Sequence, residues 1–252
     1  MEVDAYYLYL STFKPSGMQH SAIRIMLQAH EIFHVLTEEQ WQLLVSNTSL
    51  ANYGKNKKIY DIDEAADHVY FVEKGSVKTG SLSNDQKVIV KEIAYAGDFF
   101  GENIFSQRTI RKDFAETSSE SKVFRIKSDV FKELVLQNAA FTRSLMAITL
   151  GKLEAMEERL QNFVFLKAKE RIVHFLFKAA SKNGIKIGLE ERLINQGISH
   201  RDIAFLTDTS RQTVARVLNE LKRDNLIHYG GGKSCKILIR DMVALERLSL
   251  AG

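Results

Sequence analysis

The chain has 252 residues, 45% of them hydrophobic and 26% charged, a balance that suits one large or two ordinary folded domains and excludes disordered or collagen-like architectures. A single cysteine, Cys235, excludes an internal disulfide, a four-cysteine zinc site and an all-cysteine iron–sulfur cluster, and points to a reducing compartment. The net charge of +4 is unevenly placed: residues 171–252 carry 14 Lys/Arg against 8 Asp/Glu while residues 1–170 carry 21 against 23, so the last third is the part expected to meet a polyanion, nucleic acid first.

No apolar run reaches the roughly 18 residues of a membrane span, and the N-terminus lacks the basic-then-apolar order of a secretory signal. The expectation is therefore a cytoplasmic protein with no membrane partner. Residues 18–29 show helical apolar periodicity, and Thr37-Glu38-Glu39-Gln40 reads as a capping box opening a short helix over 37–46. From about 52 to 127 the texture changes to short β-branched and aromatic runs at 69–72, 76–82, 88–94 and 122–126. Turn signals such as Lys74-Gly75 and Ala96-Gly97-Asp98 separate them, which predicts a compact antiparallel sandwich or barrel.

Helical periodicity resumes from about 128 to 180. Met146, Thr149, Leu153, Met156, Leu160 and Phe163 recur at alternating spacings of three and four, the seam of a helix that packs on a second copy of the chain. Gly151 interrupts helix-forming composition within that seam. A further helix is predicted over 169–181, with Ile172, Val173, Phe175 and Leu176 on one face.

The stretch 198–229 is the most informative. Ser199 is placed to cap a short helix whose buried face is Ile203, Ala204 and Leu206, with Asp202 in its first turn. Thr207-Asp208-Thr209 forms a turn, and Ser210 caps a second helix that starts at Arg211 and buries Val214, Val217, Leu218 and Leu221. Arg211, Gln212 and Arg216 are left facing outward near its N-terminal half. A helix so presented enters the major groove of DNA, where Arg matches the paired acceptors of guanine and Gln the donor–acceptor pair of adenine. Thr213 is placed to bond a phosphate or touch a thymine methyl. Residues 226–239 then read as a β-hairpin with a glycine-rich tip, a wing from which Lys233 and Lys236 face the phosphate backbone. No catalytic motif and no metal-ligating cluster is present, so an enzyme is not expected. The alternative to a DNA-binding protein is a small-molecule-binding signalling module whose winged helix makes protein contacts.

On the strings SRQTVARVLNEL (210–221) and KGSVKTGSLSNDQKVIVKEIAYAGDFFGE (74–102), the chain closely resembles the CRP/FNR family of bacterial transcription regulators, over roughly residues 30–250. The resemblance implies an α+β fold: a jelly-roll-like antiparallel β-roll sensor domain (31–140) after an N-terminal extension (1–30), a dimerisation helix (141–168) and a C-terminal winged helix-turn-helix domain (169–252). It also implies base-reading roles for Arg211, Gln212 and Arg216. Gln212 stands where nucleotide-responsive members carry Glu, and Asp208 replaces the usual turn glycine. Expected partners are double-stranded DNA, a second copy of the chain, RNA polymerase and an unidentified small-molecule effector.

The effector site implied by the resemblance comprises Gly101, Glu102 and Arg111, with Lys112 beside them and Met156 and Glu157 on the long helix. Here the chain departs from the family's nucleotide site. Lys112 and Asp113 replace a small hydroxyl residue and Ala, and Met156 and Glu157 replace the adenine-contacting Thr/Ser pair. A site deprived of those hydrogen bonds loses its discrimination, so no cofactor is required by the sequence and cyclic nucleotide is a doubtful ligand. A different effector would sit near 99–117 and Met156. Haem would need an axial ligand such as His20, His30, His34 or His68, but a lone His is more often an ordinary surface or core residue.

Overall fold

The computed structural model describes residues 16–83, 88–106, 109–229 and 235–250. The chain divides into two compact units, one comprising the residues up to Val88 with Glu92–Leu150, the other Ile89–Lys91 with the residues from Gly151 onward.

In the first unit, α1 (Ser16–Leu27) and α2 (Glu38–Ser46) precede an all-antiparallel β-roll. Thr37 caps α2 by accepting from the Gln40 amide while the Gln40 side chain accepts from the Thr37 amide, which is the capping box expected from the sequence. One sheet has the order β1 (Thr48–Tyr53), β8 (Ser121–Lys127), β3 (His68–Lys74), β6 (Phe99–Phe100). The other runs β2 (Lys58–Tyr60), β7 (Phe114–Thr117), β4 (Ser76–Leu82), β5 (Val88–Tyr95). The strands expected at 69–72, 76–82, 88–94 and 122–126 are β3, β4, β5 and β8; sequence reading left out β1, β2, β6 and β7.

The first sheet is buried on both faces, which explains the unbroken apolar run Val69-Tyr70-Phe71-Val72. Alternate residues serve different cores. Val69, Phe71, Phe99, Phe124 and Ile126 pack with Phe33 and Trp41 and with Phe131 of α3 (Ser128–Gln137). Tyr70, Val72, Phe100 and Val123 instead meet Tyr60, Val77 and Ala115 of the second sheet. Gly75 links β3 to β4 at φ 91°, where a Cβ would lie 2.3 Å from the Glu120 carbonyl oxygen, so only glycine closes this turn.

The long helix α4 spans Ala139–Phe165 and α5 spans Ala168–Asn183, so the break falls at Leu166-Lys167 rather than after 168. In the second unit, α5, α6 (His200–Leu206) and α7 (Arg211–Arg223) pack around Ile172, Leu176, Ile203, Val214, Val217 and Leu218. Beside them lies a sheet ordered β11 (Ile227–Tyr229), β12 (Cys235–Ile239), β10 (Arg192–Ile198), β9 (Ile185–Lys186). The expected hairpin is present, Ile227 pairing with Ile239 and Tyr229 with Ile237. It is half of a four-stranded sheet, however, not an isolated strand pair, and α8 (Met242–Leu250) follows it. Among the described residues no helix is long and apolar enough to cross a membrane.

Candidate nucleic-acid interface

Helices α6 and α7 are set by their caps. The Ser199 hydroxyl accepts from the Asp202 amide, and the Asp202 carboxylate accepts in return from the Ser199 amide and hydroxyl. Ser210 accepts from the Thr213 amide at 3.0 Å, and its hydroxyl lies 2.9 Å from that of Thr213. Between the helices Asp208 takes φ 50°, a left-handed conformation that Asp tolerates better than most residues. The turn forms without glycine, as the sequence reading expected.

Burial of Val214, Val217, Leu218 and Leu221 fixes which face of α7 is presented. Arg211, Gln212 and Arg216 are exposed, Thr213 is half-buried, and Lys236 on β12 is exposed. Lys233 lies outside the described residues. The far end of α7 closes with Asn225 at φ 58°, followed by a Leu226 amide donating to the Leu221 carbonyl. Tyr229 of the wing donates from its hydroxyl to Asn219, and Lys222 sits over its ring at 5.0 Å, so α7 and β11 hold one another. His200 is a residue sequence reading did not single out. Its ring meets Tyr229 edge-on at 5.9 Å, and burial, with Arg211 nearby, holds its imidazole below the ordinary value.

On α4, the seam residues Met146, Leu153, Met156, Leu160 and Phe163 are between 51% and 64% exposed, and Thr149 is exposed as well. These six residues line one exposed stripe of α4, whose Phe141 and Leu145 are buried in the core of the first unit. Phe163 carries the Arg171 guanidinium over its ring at 5.2 Å.

The effector-site residues divide. Met156 and Glu157 are exposed on the long helix in the second unit. Gly101, Glu102, Arg111 and Lys112 lie in the first unit, where Gly101 adopts φ 87° and Lys112 is exposed. Arg111 is fully buried. It donates through Nη1 to the Gly101 carbonyl at 2.9 Å and through Nη2 to the His68 carbonyl, and its guanidinium stacks 4.2 Å from the Tyr60 ring and 5.6 Å from that of Tyr70. Asp113 is buried too, accepting from the Asn103 side-chain amide at 2.9 Å. Burial pushes the Tyr60 phenol far above its usual range, Asp113 adding to the shift and Arg111 opposing it. Sequence reading placed Arg111 at the family's phosphate position; that the side chain turns inward depends on Tyr60 and Tyr70, which no local pattern connects to it.

A β-roll followed by a long helix and a winged helix with an exposed basic face is the architecture of a DNA-binding regulator. Comparison with known proteins agrees. Residues 170–248 match the Crp-like helix-turn-helix domain and residues 50–138 the cyclic nucleotide-binding domain. The nitrogen fixation regulation protein FixK of Azorhizobium caulinodans is 26% identical over 207 residues, covering 82% of each chain. The cAMP-activated global transcriptional regulator CRP of Haemophilus influenzae is 26% identical over 188 residues, covering 74% of this chain and 83% of its own. Among solved structures, FixK2 of Bradyrhizobium japonicum superposes with a TM-score of 0.69 at 24% identity, over 80% of this chain and 96% of its own. The chain belongs to the CRP/FNR family of transcription regulators, a family of DNA-binding proteins and not of enzymes.

Proposed function

We propose that this chain is a homodimeric, sequence-specific regulator that reads a pseudo-palindromic operator through α7 and acts in the cytoplasm with RNA polymerase as its partner. The observation that carries the reading is the face of α7: a helix capped by Ser210, buried through Val214, Val217, Leu218 and Leu221, and exposing Arg211, Gln212 and Arg216 where it starts. Arg211, Gln212 and Arg216 reach base edges, with Thr213, Ser199, Ser210, Lys233 and Lys236 at the backbone. Two copies joined along the α4 seam place two such helices on half-sites about one helical turn apart.

The β-roll does not take a cyclic nucleotide in the manner its fold suggests. The residues present do not fit one: both Nη atoms of Arg111 are engaged by carbonyl oxygens and its guanidinium lies against the Tyr60 ring, leaving only the buried Nε without a partner among the described residues, and the buried Asp113 carboxylate repels a phosphate. The β-roll then answers to another effector or to none.

Selection of DNA from a random pool by the full-length protein, with and without cyclic AMP and cyclic GMP, tests the reading. A palindromic site enriched equally in every pool is the expected result, and Arg211→Ala should lose about 1–3 kcal/mol at one base of each half-site. Enrichment that requires a nucleotide would overturn the reading of the β-roll, and an absence of any enriched site would overturn that of α7.

A further inference from the structure

The turn between α6 and α7 is held by two arginines from outside the helix-turn-helix. Arg159 of α4 donates through Nε and Nη2 to the two carboxylate oxygens of Asp208, at 2.9 and 2.6 Å, and Nη2 also reaches the Phe205 carbonyl at 2.7 Å. Arg171 of α5 donates through Nε to the Thr207 carbonyl at 2.8 Å and through Nη2 to the Asp208 carbonyl at 3.0 Å, while its Nη1 reaches the Leu166 carbonyl at 2.8 Å. The same guanidinium lies over Phe163, one helical turn beyond Arg159. Carbonyls at the end of α6 have no partner within that helix, and cations are the favoured donors at a helix C-terminus. A two-point Arg–carboxylate contact fixes orientation as well as distance.

From these contacts we infer that Asp208 and Arg159 position the recognition helix by latching its preceding turn to the end of the long helix. Arg211 follows Asp208 by three residues, so the direction in which α7 leaves the turn is tied to α4. Resting on the dimer proposed above, the latch sets the separation of the two recognition helices and thereby the half-site spacing that the protein accepts. Asp208 is thus a positioning residue, reaching DNA only through α7.

The test uses the full-length protein and the operator it selects, together with versions whose central spacer is one or two base pairs longer or shorter. Asp208→Gly keeps the left-handed turn and removes the carboxylate. Wild type is expected to lose at least about tenfold in affinity on each altered spacer, and Asp208→Gly to bind all of them within about threefold of one another. Arg159→Ala should relax spacing likewise, Arg159→Lys should restore part of the discrimination, and removing Asp208 in the Arg159→Ala background should relax it no further. Equal melting of Asp208→Gly and wild type would show that the effect is not one of folding. Retention of wild-type spacing discrimination by Asp208→Gly, or independent and additive effects of the two substitutions, would overturn the latch alone. A wild-type protein that selects no paired half-sites would overturn the dimer reading and the latch with it.

Discussion

Replacing Arg111 by Met separates a structural cation from a ligand-binding one. Met occupies much of the aliphatic volume and takes a charge out of the interior, but it leaves the Gly101 and His68 carbonyls without their donors. Each orphaned buried acceptor costs about 1–3 kcal/mol, and a desolvated cation–π contact such as that with Tyr60 adds about 2. Relief of the desolvation of the guanidinium offsets part of this loss. The net expectation is a destabilisation of about 2–4 kcal/mol in a urea melt of the full-length protein. The companion measurement is thermal melting with cyclic AMP. A nucleotide present at one hundred times its Kd stabilises a fold by about 2.7 kcal/mol and would raise Tm by roughly 5–10 °C. No such rise is expected for wild type or for Arg111→Met. A variant as stable as wild type, or a wild-type Tm that climbs with cyclic AMP and a variant Tm that does not, would refute the assignment of Arg111 to the interior.

Other substitutions probe separate links in the structure. Ser210→Ala removes the acceptor for the Thr213 amide and should cost about 0.5–2 kcal/mol of stability, measured by denaturant melts, with the same loss in operator affinity only where α7 frays. Burial holds the His30 imidazole below its ordinary 6.5, against an opposing pull from Glu73, so the unfolded chain binds a proton that the fold excludes. Stability should therefore be full above about pH 6.5 and fall as the pH drops below it; His30→Gln should flatten that slope in melts recorded from pH 7.5 to 5. Gly151 has nothing within 4 Å of where a Cβ would stand, and it lies off the seam between Thr149 and Leu153, so Gly151→Ala should stabilise by about 0.5–1 kcal/mol. A loss on that substitution in an equilibrium melt would contradict an uninterrupted α4.

Much of the second unit was legible because its signals are local. Ser199, Ser210 and the apolar positions of α7 each act within a few residues of themselves, and caps and periodicity are read at that range. The strands that escaped notice have a different character. Phe99-Phe100 is two residues long and owes its place to pairing with Phe71 and Tyr70, while Lys58–Tyr60 is held by β7 more than fifty residues away. Residues 185–198 contain Gly188 and the exposed Ile185, Ile187 and Leu189 and carry no periodic signal of their own; β12 supplies the partner for β10, and β10 in turn for β9. The inward turn of Arg111 follows the same logic, since the Tyr60 ring and the His68 carbonyl come from distant strands.

The surplus positive charge of residues 171–252 becomes a directed feature once its acids are located. Asp202 completes a cap, Asp208 receives Arg159, and Glu220 pairs with Lys169, whose contact holds that carboxylate below its usual range. Asp208, although only three residues before Arg211, is turned to Arg159, and Glu220 is engaged toward the other end of α7. Arg211 and Arg216 therefore meet solvent on a face where no carboxylate of α7's first turn opposes them. A net charge alone would supply affinity that decays with salt and carries no sequence information. Placing Arg211 and Arg216 on one capped helix, with Gln212 between them, gives that part of the charge a defined orientation. On the function proposed above, phosphate attraction and base reading arise from one surface, and the position of the turn decides where on the duplex that surface lies.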